Sequence, residues 1–504
     1  MDEHRQELTR FLTFSGCLLG LLAAPYLLPA LDSLKPWVSG EPLPLIGLWW
    51  QPDVVRQVEE TADGIAMVIV DEEPEESAVL MPSVFPDRSP GIHEPLDVPP
   101  GALDAWFVSL SRVEDDLPGE IARTLIWGDS TIASDRVIED VRSRMQDRFG
   151  DGGPGFLAVQ VDPYWSLRAD ITRWVKGEWT NTTIVSGGGA GRRYGLAGVA
   201  STALGETSSA LGSHPDATEP LTRAQVFYQL QPGGGSFSAS FRGDGMGAAT
   251  ASGGTSDGYR ELRSPGTQRL YIKTAGDGPV TFYGAALETA GPGVTWETFG
   301  IAGASIAAMK TLRKRHLSSQ VAARDPALVV YWTGGNEIAY PSVQTGDGAD
   351  YRRIYGQVVD MIRDGAPDAA CLLIGPLDQA TRKRGQIVSK VGVERLIRFQ
   401  KTVAAEQGCA YWDAREAMGG EGSFAKWLRA KPRLTSPDLM HITRAGGQVL
   451  GDVLADLLLD AYDRWRAENP EIGWFPEECD PDTFEESLGE SLGESLPDAI
   501  EGAG

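Results

Sequence analysis

The sequence has 504 residues, which is long enough for two or three domains with full-sized hydrophobic cores. It carries 45 Lys and Arg against 70 Asp and Glu, a formal net charge of −25. So acidic a chain is a poor partner for the phosphate backbone of a nucleic acid, and we expect no nucleic-acid binding. From Glu477 onward there are ten acidic residues and no Lys or Arg, so much of the negative charge lies at the C-terminus.

The N-terminal segment, residues 1–34, contains an uncharged apolar stretch at residues 11–31 whose length matches a membrane-spanning helix. Arg5 and Arg10 precede it, and this weak positive bias predicts a cytoplasmic N-terminus with the bulk of the chain exported. We therefore expect an uncleaved anchor in a bacterial cell envelope, with the rest of the chain on the periplasmic side. A cleaved signal peptide, and hence a secreted protein, is the alternative.

Two further segments have the composition of linkers rather than of domains. Residues 35–101 combine the acidic run Asp71–Glu76 with many prolines, which predicts a spacer interrupted by one strand at Ile65–Val70. Residues 467–504 are acidic, contain a short tandem repeat at 486–496 and have few large apolar side chains, which predicts a disordered tail.

The remaining chain alternates apolar runs with segments of helical periodicity, the pattern of a parallel sheet flanked by helices. This α/β part is split into residues 102–186 and 291–466. The predicted strands are 123–128, 294–301, 327–333, 370–375 and 409–413, and the predicted helices are 102–113, 135–148, 350–364, 391–407 and 444–465.

Between the two parts, residues 187–290 are rich in Gly, Ser and Thr and contain short alternating runs, among them Ala224–Leu230 and Phe237–Phe241. Strands at this spacing, separated by glycine-rich turns, predict an inserted antiparallel β-sandwich. Such a lobe either positions a polymer over a site or only packs against the domain, and the pattern favours neither.

The turn Gly128-Asp129-Ser130 follows the first predicted strand and precedes a helix. This arrangement puts a serine hydroxyl at the carboxyl edge of the sheet, where α/β folds bind ligands, beside the free N–H groups of a helix N-terminus. Gly, Asp and Ser are also ordinary turn residues, so the turn alone is weak evidence for catalysis.

Three later segments supply the groups that a nucleophilic serine needs. Gly303 would let a backbone N–H approach a substrate oxygen, and the amide of Asn336 can donate to an oxyanion. In the tight turn from Asp438 to His441, the carboxylate can orient the imidazole while its other nitrogen faces Ser130. Each has an alternative role, as a packing glycine, a cap residue or a surface histidine.

In this order, Gly-Asp-Ser, Gly, Gly-x-Asn and Asp-x-x-His resemble the four-block signature of the SGNH (GDSL-type) hydrolases. The resemblance implies an α/β, flavodoxin-like three-layer domain with a five-stranded parallel sheet, here interrupted by the β-sandwich. It further implies that Ser130 is the nucleophile, His441 the general base and Asp438 its orienting acid. The implied oxyanion hole consists of the Ser130 and Gly303 N–H groups and the Asn336 amide.

The segments Arg148–Phe156, Gly375–Asp378 and Ala417–Gly420 resemble the peptidoglycan O-acetylesterase branch of that family, whose members carry a carbohydrate-binding-like sandwich between the first and second blocks. This sequence departs from the family at two positions. Thr131 stands where that branch often has His, and Glu337 stands where many SGNH enzymes have Asp.

The residues and the resemblance together predict an exported, membrane-tethered serine esterase that removes O-acetyl groups from a cell-wall or exported polysaccharide, with peptidoglycan favoured. The alternatives are a polysaccharide O-acetyltransferase with the same triad, a non-catalytic glycan-binding protein, and a lipid esterase or thioesterase. Aromatic residues near the serine in the sequence (Tyr164, Trp165, Trp174 and Trp179) favour a sugar over a lipid. No metal or cofactor is expected, because no metal-ligand spacing or phosphate loop occurs.

The chain has four cysteines, and Cys371 and Cys409 begin two strands that are predicted to be neighbours. They therefore form either a disulfide in an oxidising compartment or two small buried side chains. The sequence leaves the oligomeric state open.

Overall fold

The structure, a computed structural model, describes residues 96–160, 168–186, 193–241 and 247–470, and the backbone of two strands at 55–61 and 64–70. The chain divides into two compact units, residues 59–67 with 83–504 and residues 1–58 with 68–82, and the description below concerns the first. The predicted membrane anchor, most of the predicted linker and tail, Tyr164 and Trp165 lie outside the described residues. Within the described part, no helix combines the length and apolarity needed to cross a membrane.

The strands fall into a parallel-rich sheet, two antiparallel sheets and one hairpin. In chain order they are β1 (Val55–Thr61), β2 (Gly64–Val70), β3 (Leu96–Asp97), β4 (Ile121–Gly128), β5 (Gly155–Leu157), β6 (Ile171–Lys176), β7 (Trp179–Thr183), β8 (Val199–Ala203), β9 (Ser208–Ser213), β10 (Leu221–Leu230), β11 (Ser236–Phe241), β12 (Gly247–Thr250), β13 (Ser256–Thr267), β14 (Arg269–Thr274), β15 (Val280–Glu288), β16 (Gly293–Gly300), β17 (Leu328–Trp332), β18 (Ala370–Ile374), β19 (Ala380–Lys383), β20 (Gln386–Ser389) and β21 (Ala410–Trp412).

The α-helices lie before β4 and between or after the strands of the parallel-rich sheet. They are α1 (Asp104–Glu114), α2 (Ser130–Ala133), α3 (Ile138–Phe149), α4 (Ile306–Met309), α5 (Lys314–Arg324), α6 (Pro341–Gln344), α7 (Ala349–Arg363), α8 (Gly392–Gln407), α9 (Ala414–Ala417), α10 (Ser423–Trp427) and α11 (Arg444–Glu468). A 3₁₀ turn covers Glu337–Ala339.

The parallel-rich sheet has the order β16-β4-β17-β18-β21-β3. Its first five strands are parallel and correspond to the five predicted strands, whereas β3 pairs with β21 in the antiparallel direction. The sixth strand lies inside the segment expected to be a linker. At two residues it is too short to produce an alternating pattern in the sequence.

Helices cover both faces of this sheet because each strand is apolar on both sides. Leu125 and Trp127 of β4 belong to the hydrophobic core that also contains residues of α5, α7 and α8. Ile126, between them, points to the opposite core, which contains residues of α1, α3 and α11. The result is the three-layer α/β domain that the resemblance implied.

The antiparallel sheets have the orders β1-β2-β6-β9-β14-β11-β12 and β13-β10-β15-β8-β7, and β5 adds to β15. They pack face to face through aromatic side chains: the Phe237 ring lies 4.8 Å from the Tyr228 ring and 5.1 Å from the Phe282 ring. Five strands of these sheets, β1, β2, β5, β6 and β7, precede residue 187, where the insert was expected to begin. The residues of β6 are all partly exposed, so this strand lacks the alternation that predicts a strand.

A buried ionic cluster joins the antiparallel sheets to the α/β domain. Arg324 of α5 contacts Glu297 of β16 and Glu288 of β15, each at 2.6 Å. Arg123 of β4 and Arg223 of β10 also contact Glu288, at 2.7 and 3.1 Å. Because these elements belong to both parts of the molecule, the cluster fixes the inserted strands against the sheet that ends at Ser130.

Cys371 and Cys409 form a disulfide between the start of β18 and the residue before β21. Of the two alternatives that the sequence left open, the structure shows the bridge.

Candidate active site

Ser130 begins α2 directly after the end of β4. Asp129 caps this helix, because its Oδ1 accepts a hydrogen bond of 2.9 Å from the backbone N–H of Thr131. Gly128 is required at the turn: a Cβ there would lie 2.3 Å from Cγ1 of Ile132 and 2.5 Å from the carbonyl oxygen of Trp332. The serine is therefore held at the carboxyl edge of the sheet, as the sequence predicted.

The three residues expected to form a triad lie in one hydrogen-bonded chain. Ser130 Oγ lies 2.9 Å from His441 Nε2, and His441 Nδ1 lies 2.7 Å from Asp438 Oδ2. Asp438 Oδ1 accepts from the backbone N–H groups of Met440 and His441, at 2.9 and 3.0 Å, so both oxygens of the carboxylate are used. The carboxylate thus fixes the imidazole with Nδ1 protonated and leaves the Nε2 lone pair for the serine hydroxyl.

The hydrogen bonds also set the charge of Asp438. Partial burial raises the pKa of this carboxyl, but the side-chain and backbone hydrogen bonds from His441 outweigh burial, and the pKa falls below its usual value. Asp438 therefore stays ionised at neutral pH, as the orienting partner of a general base must.

Asn336 lines the same cleft as Ser130 and His441. Its Nδ2 donates to the carbonyl oxygen of Ala304 at 2.7 Å, which uses one of the two amide hydrogens and leaves the other for a ligand. Gly303 has a φ of +79° and open space where a Cβ would be. It does not line the cleft, but it immediately precedes the Ala304 that Asn336 binds.

We call this cleft the serine cleft. Its lining consists of Asp129, Ser130, Thr131, Trp332, Thr333, Gly335, Asn336, Pro376, Leu377, Gln379, Met440 and His441. Neither Trp174 nor Trp179 is among these residues, so the described aromatic residues that suggested a sugar platform lie elsewhere.

The sequence of residues 253–449 matches the model of the GDSL-like Lipase/Acylhydrolase family. Over this segment the chain is similar to the SGNH, or GDSL-type, hydrolases. It is a carboxylic ester hydrolase. The matched segment includes Gly303, Asn336, Asp438 and His441. Ser130 lies outside this segment in the sequence, and the fold brings it next to His441.

Among solved structures, this hydrolase is similar to a peptidoglycan O-acetylesterase, with 24% identity and a TM-score of 0.61 over 71% of this chain and 96% of that chain. At this identity the likeness shows a common fold. Matches of lower TM-score include an acetyl xylan esterase, with 17% identity and a TM-score of 0.25 over 32% of this chain and 79% of that chain. Another is a family two carbohydrate esterase from Clostridium thermocellum, with 12% identity and a TM-score of 0.23 over 52% of this chain and 94% of that chain. No curated protein matches the sequence.

Glu337, where many SGNH enzymes have Asp, is fully buried in this hydrolase and connects two segments of the site. Its Oε1 accepts from the backbone N–H of Ile306 at 2.8 Å and from the hydroxyl of Thr333 at 3.0 Å. Burial raises its pKa to about 7, and the negative charge of Asp129 contributes to the rise. Burial also raises the pKa of Asp129 and outweighs the hydrogen bonds from Thr131 and Gly335, which lower it.

A polar chain that sequence reasoning missed supports the Asn336 turn from the other side. Lys390 Nζ donates to Gln379 Oε1 at 2.8 Å, and Gln379 Nε2 donates to the carbonyl oxygen of Gly335 at 3.2 Å. Burial lowers the pKa of Lys390, and the charge of Asp438 opposes this effect. No spacing in the sequence links these residues, because the chain carries Lys390 to the site through the β19–β20 hairpin.

The arrangement has the parts needed for ester cleavage through a serine nucleophile. Ser130 lies within hydrogen-bond distance of a base, the base has an ionised partner, and an amide donor lines the same cleft. The backbone N–H of Ser130 is the first of helix α2 and has no partner within the helix, which makes it available to an oxyanion.

Proposed function

We propose that this hydrolase is a serine esterase that removes O-acetyl groups from an acetylated polysaccharide of the bacterial cell envelope, with peptidoglycan as the favoured polymer. The observation that carries the proposal is the hydrogen-bonded chain from Ser130 through His441 to Asp438. The similarity in fold to a peptidoglycan O-acetylesterase, over almost the whole of that chain, supports the choice of polymer.

In the proposed reaction, Ser130 Oγ attacks the acetyl carbonyl carbon while its proton passes to His441 Nε2. The N–H groups of Ser130 and Gly303 and the amide of Asn336 stabilise the tetrahedral oxyanion. Collapse breaks the ester C–O bond, and His441 returns the proton to the departing sugar hydroxyl. Water then attacks the acetyl-serine with His441 as base, which releases acetate and restores the serine.

The test is acetate release from O-acetylated peptidoglycan by the full chain, with a small aryl acetate as a second substrate. We expect cleavage of both and loss of both in Ser130→Ala. Ser318→Ala is the matched control, because the Ser318 hydroxyl makes only a local bond to the carbonyl oxygen of Arg315. Cleavage of the aryl ester alone would contradict the polymer and would favour acetyl transfer or another glycan. Cleavage of neither by folded protein would contradict the esterase.

We further propose that residues 11–31 anchor the enzyme in the membrane with the catalytic part on the periplasmic side. The support is the length of the uncharged stretch. The full chain should stay with the membrane fraction after an alkaline carbonate wash, and deletion of residues 11–31 should release it. Recovery of a shortened chain, without its N-terminal segment, in the soluble fraction would contradict the anchor and favour secretion after cleavage.

A further inference from the structure

Arg173, on strand β6, has no charged partner among the residues that the structure describes. Its Nε is buried without a hydrogen-bond partner, and its guanidinium makes no hydrogen bond or ion pair with any residue that the structure describes. Arginine side chains that leave water normally bind a carboxylate or a carbonyl oxygen, because an uncompensated buried charge is costly. Arg173 is therefore an exception that needs a physical explanation.

The side chain lines a second cleft, which we call the arginine cleft. Residues of the first antiparallel sheet and of the α/β domain meet there, including Arg168, Arg173, Ala197 and Thr298. Apart from the two arginines and Thr298, the lining is apolar or glycine. A ligand in this cleft would find two guanidinium groups and one hydroxyl on an otherwise apolar wall.

The other charges near this cleft are already matched. Arg142 contacts Asp135 at 2.9 Å and Asp170 at 3.3 Å, while Arg168 binds Asp170 and donates to the carbonyl oxygen of Pro154 at 2.8 Å. Arg142 and Arg168 are thus paired with carboxylates, whereas Arg173 has no such partner among the described residues. Burial and the positive charge of Arg168 lower the pKa of Arg173 to about 10, so it remains a cation at neutral pH.

The arginine cleft lies beside the catalytic helix. Ser130 and Thr131 of α2 line the serine cleft, whereas Ile132 and Ala133 of the same helix line the arginine cleft. Consecutive residues of one four-residue helix thus line the two clefts, so the clefts are neighbours on either side of α2.

We propose that the arginine cleft binds a carboxylate of the polysaccharide substrate, so that the enzyme acts on an acidic acetylated glycan. The inference rests on the proposed function, because it assigns a subsite to the same polymer. A carboxylate is the fitting anion, because its two oxygens match the planar fork of one guanidinium.

The test couples one charge on the enzyme with one charge on the substrate. O-acetylated glycan strands freed of their peptides carry muramic-acid carboxylates, and methylamine coupling converts these to neutral amides. Binding of both strand forms to the full chain carrying Ser130→Ala is measured by calorimetry, with and without Arg173→Gln. We expect amidation to weaken binding at least tenfold with Arg173 present and less than twofold with Arg173→Gln.

Arg269→Gln is the matched control, because Arg269 is exposed on β14 of the same sheet. With this variant the tenfold effect of amidation should persist, and Arg173→Lys should keep part of it. The proposal is wrong if amidation has the same effect with and without Arg173, or no effect at all. Inorganic phosphate is the second probe: if it binds as tightly as the strands and also depends on Arg173, the cleft is a site for free anions.

Binding to the Ser130→Ala protein does not depend on turnover, so this experiment and the esterase assay can fail separately. An inactive wild-type protein that still shows the coupling would contradict the esterase and keep the carboxylate subsite. An active esterase without the coupling would keep the proposed function and overturn the subsite. Thermal unfolding of each variant shows that it is folded, and Arg173→Gln should not lower the unfolding midpoint, since the arginine has no partner to lose.

Discussion

The buried carboxylate of Glu337 accepts a hydrogen bond of 2.8 Å from the backbone N–H of Ile306, which joins the turn of Asn336 to the loop of Gly303. A second link runs parallel to it, from the Asn336 amide to the carbonyl oxygen of Ala304. The two proposed oxyanion donors thus belong to one hydrogen-bonded assembly, although they lie in separate blocks of the sequence.

Glu337→Gln should make the protein more stable than wild type at pH 8 but not at pH 5. The pKa of Glu337 is raised to about 7 in the folded protein, mainly by burial, so the folded state holds this proton more tightly than the unfolded chain. Stability from this group is full below the unfolded pKa of about 4.3 and is lost as pH rises to about 7, an effect of up to roughly 3 kcal/mol. Denaturant unfolding at both pH values measures it. If the free energies of unfolding of Glu337→Gln and wild type differ by the same amount at pH 5 and pH 8, the raised pKa of Glu337 is contradicted.

Asp438→Asn should lower kcat/KM for an aryl acetate by roughly 10³- to 10⁴-fold, because the amide no longer fixes the imidazole in the required tautomer. The 2.7 Å contact to His441 Nδ1 is the interaction that changes. Steady-state kinetics with equal folded protein checks the prediction. Asp360→Asn is the control, since Asp360 is exposed on α7, and a similar loss there would mean a general effect of the substitution.

Asn336→Ala should lower kcat for the aryl acetate by about 10²- to 10³-fold, since it removes a donor to the developing oxyanion. KM should change much less, because the donor acts mainly in the transition state. Gln379→Ala tests the support of the turn and should have a smaller effect on kcat, because it removes the bonds to Gly335 and Lys390 but no proposed donor to the oxyanion. A larger loss in Gln379→Ala than in Asn336→Ala would contradict these roles.

Arg324→Met should destabilise the protein by about 3–5 kcal/mol, because it leaves Glu288 and Glu297 buried without their shared cation. Burial raises the pKa of Glu288, but Arg324 and Arg123 outweigh it and hold the pKa below its usual value. This contribution is present above the unfolded pKa of about 4.3 and is lost as pH falls below it. The destabilisation should therefore shrink on acidification. A loss that is the same at pH 7 and pH 3.5 would contradict the ionic origin.

Replacement of Cys371 and Cys409 by Ser should lower the free energy of unfolding by about 3–4 kcal/mol, the loop-closure value for a separation of 38 residues. Wild-type protein treated with a reductant should show the same loss. Cys17→Ser with Cys479→Ser, which replaces the other two cysteines, is the control and should leave stability unchanged. Equal stability of oxidised and reduced wild type would contradict a structural bridge.

The five parallel strands were predictable because each is a short apolar run bounded by turn residues. The juxtaposition of Ser130, Asn336 and His441 was predictable because the carboxyl ends of parallel strands and their loops share one edge. Helix α5 was missed because its inner face contains His316, Gln320 and Arg324, polar residues that are buried only through partners far away in the sequence.

Other features depend on contacts that leave no local pattern. Arg173 lies on a strand with no clear alternation, and its lack of a partner is visible only when its surroundings are known. Lys390 reaches the site because a hairpin returns the chain to Gln379. The roles of Arg173 and Lys390 depend on their tertiary position rather than on their spacing in the sequence.

Strands β4 and β16 pair in parallel along their whole length, from Ile121 with Gly293 to Gly128 with Gly300, although the inserted sheets separate them in the chain. Pairing these strands closes a long loop, which costs conformational entropy. A folded insert lowers this cost because it shortens the flexible part of the loop. During synthesis, the strand that carries Ser130 therefore emerges long before its neighbour and must wait for it. We expect the antiparallel sheets to fold first and the nucleophile to reach its position late, after the insert has brought the two strands together.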